Sequence, residues 1–224
     1  MEDLKTKTMK GPGLQLIREV KEFLRSLQFQ ELFIQANPKE FEDFYSWAFL
    51  PGMLFKAKKK WWAEGERSTP HEGIDLCLFY DKKGSLLKLP ATIKIPAPCD
   101  GVFLAAAQDF LGITIFFAQS YKNKLTILWA FGHMELEGRL APHEQIKKGQ
   151  LLGSISAQRP KNPRMLPHLH ISIAIPLSQN LLEEPSWRNL SDTRLSRLVN
   201  PLLIFKRAQI LNWIPPLWAP MNST

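Results

Sequence analysis

Cysteine is nearly absent from this 224-residue chain, with Cys77 and Cys99 its only two. Two thiols exclude a disulfide-dense scaffold and any all-cysteine zinc site. Glycine (12) and proline (17) are too sparse for a collagen-like or low-complexity chain. No stretch approaches the ~20 apolar residues of a membrane-spanning helix. The apolar run from Ile210 to Trp218 is short and broken by Pro215 and Pro216, so no integral membrane segment is expected. The opening MEDLKTKTMKGPG lacks the apolar core of a signal peptide, so as written the chain reads as cytoplasmic, with no export address. No aromatic RNA-binding strand, zinc finger or basic region with heptads accompanies the lysines, so nucleic acid is not an expected partner.

What is present describes a folded protein. Hydrophobic residues make up 45%, charged residues 22% and aromatics 11%, enough apolar surface to offset the entropy of ordering. The length corresponds to one domain plus a remainder, at roughly 150 residues per domain. Lysine and arginine exceed acids by 29 to 21, giving a net charge of +8. That surplus favours polyanionic surroundings. It is partly local, in Lys5, Lys7 and Lys10 and again in Lys56, Lys58, Lys59 and Lys60, and by itself reads as a solvated surface.

Leu14, Ile17, Val20, Leu24 and Leu27 recur at helical spacing, with charged residues between them, and predict an amphipathic helix over 13–28. After the Asn37-Pro38 break a second helix is expected over Lys39 to Phe49. From Pro51 the pattern changes. Ile74, Leu76, Leu78 and Tyr80 alternate with Asp75, Cys77 and Phe79, and Asp81 to Gly84 turns. Short strands follow at 91–95, 101–107, 113–118, 125–132, 150–156 and 168–175, with Lys122-Asn123-Lys124 as a hairpin turn. Such spacing predicts a sandwich or barrel of β-strands. Asp192 to Phe205 reads as helical, interrupted at Asn200-Pro201, and 206–224 is a tail.

The chemistry lies in the histidines, of which there are five. In His71-Glu72-Gly73-Ile74-Asp75 a helix would place His71 and Asp75 on one face. Gly73 and the alternation that follows favour a loop entering a strand. Either way an imidazole and a carboxylate can converge on one cation, and position 75 rules out the helical HExxH site. In His168-Leu169-His170 a strand would project both imidazoles from one face. Both could bind metal, or one could bind while the other moves protons. His133 ends a strongly apolar strand. Zinc accepts imidazole and carboxylate, and a catalytic site uses three protein ligands. His71, Asp75 and His170 supply such a set, leaving His168 and His133 for proton transfer and oxyanion stabilisation. His143, in a turn before Lys147-Lys148-Gly149, reads as an ordinary surface or satisfied core residue with no part in the chemistry.

These residues stand in an ordered series. His71-Glu72-Gly73-Ile74-Asp75 is followed by Ala97-Pro98-Cys99-Asp100-Gly101-Val102, then Gly132-His133-Met134. Next come Lys148-Gly149-Gln150-Leu151-Leu152-Gly153, Pro167-His168-Leu169-His170 and Val199-Asn200-Pro201-Leu202. Over residues 68–205 the series resembles the lysostaphin-type (LytM-type) zinc metallopeptidases. The resemblance implies a mainly β, overall α+β chain: an antiparallel, barrel-like metallopeptidase domain over 51–205 with an open groove. A helical segment, 1–50, would pack on that domain, and 206–224 would be its tail. It also implies one zinc per chain on His71, Asp75 and His170, with water as the remaining ligand. His168 would be the general base, and His133 would help hold the tetrahedral intermediate, although the residues themselves leave open which of the two takes the proton. The implied substrate is a peptide of peptidoglycan, which would place the work in the cell envelope or outside the cell.

The series departs from the family in two places. A bulky basic segment, Ser156 to Leu166, stands where the family has a glycine-rich turn, and it is expected to border the groove. Phe55 to Trp62 is lysine-rich and ends in Trp61-Trp62, read as core more than as a stacking shelf. Cys77 reads as a small hydrophobe. Two competing functions belong to other classes. A non-catalytic module binding peptidoglycan or an amidase would lack some of the five site positions, and all five are filled. A lipoyl- or biotinyl-like carrier would need a modifiable lysine in a particular hairpin setting, and Lys122-Asn123-Lys124 lacks the neighbours for it.

Overall fold

The computed structural model describes residues 13–123, 125–158, 162 and 164–212. The expectations for Lys5, Lys7, Lys10 and Lys124, for 159–161 and 163, and for the tail beyond residue 212 fall outside them.

The N-terminal helices are Leu14–Ser26 (α1) and Phe29–Ala36 (α2). Strands follow at Phe44–Phe49 (β1), Ile74–Leu76 (β2), Leu78–Asp81 (β3), Leu86–Lys88 (β4), Lys94–Pro96 (β5) and Gly101–Gln108 (β6). They continue through Ile113–Tyr121 (β7), Leu125–Leu136 (β8), Gln145–Ile146 (β9), Leu151–Ile155 (β10) and Leu169–Pro176 (β11). Two short helices, Asn180–Glu183 (α3) and Trp187–Ser191 (α4), precede Ser196–Val199 (β12) and Ala208–Ile210 (β13).

The main sheet runs β12-β11-β8-β7-β6-β9, and every pairing along it is antiparallel. Strand β10 adds to the far end of β8 and carries β5. The path is open at both ends, so the sheet does not close into a barrel. Strand β11 is buried along its whole length and is paired on both sides. One side meets β8, while the other is shared between β2 at Leu169–Ile171 and β12 at Ile173–Pro176. That sharing decides the fate of residues 192–205, where a helix was expected. Ser196–Val199 instead completes the backbone pairing of β11, and Asn200 caps a 3-10 turn at Pro201–Ile204. Unpaired buried backbone would cost more than the local helical preference returns.

A second sheet, β13-β1-β3-β4, is mostly antiparallel, with β1 and β13 parallel. The helix expected over Lys39–Phe49 is absent, and β1 takes its last six residues. Tertiary packing explains the difference. Ser46 to Phe49 are buried on both faces, a pattern in which helical and strand periodicity cannot be told apart. The aromatics here are strand formers. Trp47 sits at the centre of a ring cluster, with centroids 5.6 Å from Phe33, 5.4 Å from Phe41 and 5.6 Å from Phe205. Trp47→Ala is therefore expected to cost about 3–5 kcal/mol of stability. Equilibrium urea unfolding checks this, and a loss under about 1 kcal/mol would mean that the cluster closes over the gap.

Helix α1 buries Val20 and Leu24 against the body of the protein. Asn37, at the end of α2, ties the helix to β5. Its Nδ2 donates to Phe33 O and Lys94 O, both at 2.8 Å, and its Oδ1 accepts from Lys94 N at 2.7 Å. No helix among the described residues is long and apolar enough to cross a membrane.

Candidate metal centre and active site

Strand register assembles the site. His170 on β11 lies directly opposite Asp75 on β2, and on its other side opposite Gly132 on β8. His71 sits in the loop before β2, with its backbone N–H donating to Ala57 O and its carbonyl accepting from Lys56 N. Gly73 allows this loop to lie against β11. A Cβ there would fall 2.6 Å from Ser172 Oγ and 2.7 Å from His170 Nε2, too close for any side chain.

Three donor atoms converge. Asp75 Oδ1 lies 2.9 Å from His170 Nδ1 and 3.1 Å from His71 Nε2, and the two nitrogens are 3.2 Å apart. The remaining polar atom of each residue is held from behind. His71 Nδ1–H donates to Leu54 O at 3.1 Å, and His170 Nε2 meets the Ser172 hydroxyl at 2.9 Å. Asp75 Oδ2 accepts from Trp61 Nε1–H at 2.7 Å and from Arg67 Nη2 at 3.4 Å. These are the backing contacts that fix the orientation of metal-ligating side chains. A tetrahedral zinc with bonds of about 2.0–2.1 Å spaces its ligand atoms about 3.3 Å apart, so the triangle needs only a slight opening to accept it.

His168 lies one residue before β11 and outside the triangle. Its Nδ1–H donates to Leu166 O at 2.8 Å, and its Nε2 is 3.8 Å from Asp75 Oδ1. His133 comes from β8 on the far side. There β8 bulges: Ile113 pairs with Met134 and Ile115 with Phe131, so three steps on β8 oppose two on β7. His133 has φ 65°, a left-handed conformation that a non-glycine residue adopts at a cost of about 1–3 kcal/mol. The bulge turns its ring to within 4.7 Å of His168 and 6.0 Å of His170, centroid to centroid. All five histidine and aspartate positions expected from the sequence thus meet in one place. The described residues hold no other cluster of histidine, cysteine or carboxylate side chains with metal-binding spacing.

The fold is similar to M23 peptidase structures. The catalytic domain of the prophage-encoded M23 protein EnpA from Enterococcus faecalis aligns with 62% of this chain and 82% of its own, at 18% identity and a TM-score of 0.37. Lysostaphin aligns with 50% of this chain and 39% of its own, at 17% identity and a TM-score of 0.36. A candidate glycyl-glycine endopeptidase LytM from Ruminococcus gnavus aligns with 87% of this chain and 73% of its own, at 16% identity and a TM-score of 0.41. No protein-family model matches the chain, and no curated protein matches its sequence.

The five side chains line a cavity of about 330 Å³, walled also by Trp62, Arg67, Glu72, Asp109, Phe110 and Trp187. Phe110 stands 69% exposed at the rim, with its ring centroid 4.7 Å from His133. None of the described residues of 156–166 lines this cavity; Arg164 borders a neighbouring one with Trp61 and Trp62. His143 is exposed and away from the site, as expected.

Burial sets the protonation states. It alone would push the Asp75 carboxyl up, but the His71 and His168 imidazoles and the His170 hydrogen bond outweigh it and hold Asp75 well below the usual carboxylate range. His168 is drawn down to about 3, mainly by burial and against the pull of the Asp75 carboxylate. Its ring is therefore neutral at physiological pH, with the proton on Nδ1 and the lone pair on Nε2. Burial, and then the Asp75 charge, pushes the Cys77 thiol far up, and burial with Asp100 raises Cys99 to about 12. Both cysteines are free, buried and neutral, so neither competes for a cation.

Sequence reasoning missed the residues behind the five. Trp61 is buried, as expected of a core residue, but its indole N–H also holds Asp75. Ser172 was legible, since it continues the alternation of His168 and His170 along one strand face. Asp109 and Thr114 gave no such signal: the acid reads as an ordinary turn residue and the threonine as a strand former.

Proposed function

We propose that this chain is a zinc-dependent metalloendopeptidase that hydrolyses peptide bonds in the stem peptides or cross-bridges of peptidoglycan. The carrying observation is the triangle of His71 Nε2, Asp75 Oδ1 and His170 Nδ1, closed to 2.9–3.2 Å with every remaining polar atom tied off. Mixed imidazole and carboxylate donors are the set that suits a catalytic zinc. When bound, the metal supplies a Lewis acid for the scissile carbonyl and makes a water easier to deprotonate. His71, Asp75 and His170 would hold it. His168, neutral and with its lone pair on Nε2, takes the proton from the attacking water and passes it to the leaving nitrogen. His133, across the cavity, donates from Nε2–H to the charge that develops on the carbonyl oxygen.

The choice of substrate rests on the ordered motif series and its resemblance to the lysostaphin-type peptidases. The net charge of +8 suits a protein that works on an anionic wall. A non-catalytic binding module has less support, because the base and oxyanion positions are filled and face the same cavity as the donor triangle. The test is metal content by plasma mass spectrometry together with zymography on whole peptidoglycan. One zinc per chain with clearing that a chelator abolishes is the expected result. A chain that takes up no zinc would overturn the reading.

A further inference from the structure

Asp109 belongs to neither the donor triangle nor the pair of cavity histidines, yet both of its carboxylate oxygens are fully engaged in hydrogen bonds beside the site. Its side chain is 3% exposed. Oδ1 accepts from Leu111 N at 2.8 Å and lies 3.0 Å from His133 Nδ1. Oδ2 accepts from the Thr114 hydroxyl at 2.7 Å and from the backbone N–H of His133 itself at 2.9 Å. Thr114 is held in turn by Trp187, whose Nε1–H donates to Thr114 Oγ1 at 3.0 Å. One carboxylate thus grips both the backbone and the ring of a residue in the left-handed region.

We infer that Asp109 is the positioning residue of His133: it accepts the Nδ1–H, fixes the ring at the β8 bulge, and leaves Nε2 as the only ring nitrogen able to serve the cavity. The inference rests on the proposed peptidase reading for its catalytic meaning. An ionised carboxylate can only accept, and a nitrogen 3.0 Å away must therefore donate. Those hydrogen bonds and the interaction with His133 outweigh burial and hold Asp109 well below the usual carboxylate range, so it is ionised at neutral pH. A carboxylate behind an imidazole sets which of its two nitrogens faces the reaction. Thr114 and Trp187 keep the carboxylate from rotating and so extend the support to α4.

The experiment uses the full chain loaded with zinc and labelled with ¹⁵N at histidine. Long-range ¹H–¹⁵N spectra of the unmodified protein should show a proton on His133 Nδ1. A neutral His133 ring protonated at Nε2 alone would overturn the inference without any substitution being made. Asp109→Asn, whose amide can present a donor to Nδ1, should then lower kcat by about 10–100-fold, the range for removing an orienting partner. KM and zinc content should stay unchanged, and Thr114→Val should act in the same direction but more weakly. A folded Asp109→Asn protein with unaltered kcat overturns the inference. If the unmodified chain carries the Nδ1 proton but leaves peptidoglycan intact, the peptidase reading fails while the positioning of His133 stands.

Discussion

Replacing His170 by alanine is expected to remove zinc and turnover together. His170 Nδ1 closes the triangle from β11, a strand of the main sheet buried along its whole length, and no other imidazole can take its place. His168 Nε2 is 3.8 Å from Asp75 Oδ1, and its ring is anchored by Leu166 O rather than free to swing. Two donors then remain where a zinc site uses three. Zinc measured by plasma mass spectrometry should fall to the level of the chelated protein, and clearing on zymograms to background. The variant should also be less stable without metal, by about 1–3 kcal/mol, because Asp75 keeps its buried charge and loses one hydrogen-bond partner. A His170→Ala protein that retained one zinc per chain would show that the cation sits elsewhere.

The parts legible in the sequence were those with local periodicity or paired chemistry. Strands β6, β7 and β8 alternate or run apolar over eight or more residues and were expected within a few residues of their bounds. The helix α1 showed its buried stripe through Val20 and Leu24. Residues 44–49 and 196–199 were misread because their conformation is decided by what they pair with. Strand β1 lies between β3 and β13, and β13 comes from residues 208–210, whose pairing no local pattern announces. The site followed the same division. His71, Asp75, His133, His168 and His170 could be singled out because imidazoles are few and two of them are spaced for one strand face. Asp109 gains its meaning from a bulge that brings His133 back over the β6–β7 turn, so its place emerges only in three dimensions.

His168→Ala separates proton transfer from metal binding, and the expected outcome is a fall in turnover of about 10²–10⁴-fold with zinc retained. His168 Nε2 stands 3.8 Å from Asp75 Oδ1, farther than the 2.9, 3.1 and 3.2 Å that separate the three donors from one another. Its Nδ1 is committed to Leu166 O, so only Nε2 is available, and burial keeps that nitrogen unprotonated at neutral pH. A base needs this combination of a fixed ring, a free lone pair and a neutral resting state. Around it stand Trp61, with its ring centroid 5.3 Å away, and His133 at 4.7 Å, so deletion of the imidazole leaves a gap beside the site and leaves the three donors backed as before. Single-turnover kinetics and zinc content on the same preparation give the answer. If zinc is lost with His168, the division between ligand and base is wrong: this imidazole belongs with the ligands, and the proton transfer falls to His133 and the carboxylate of Asp109 behind it.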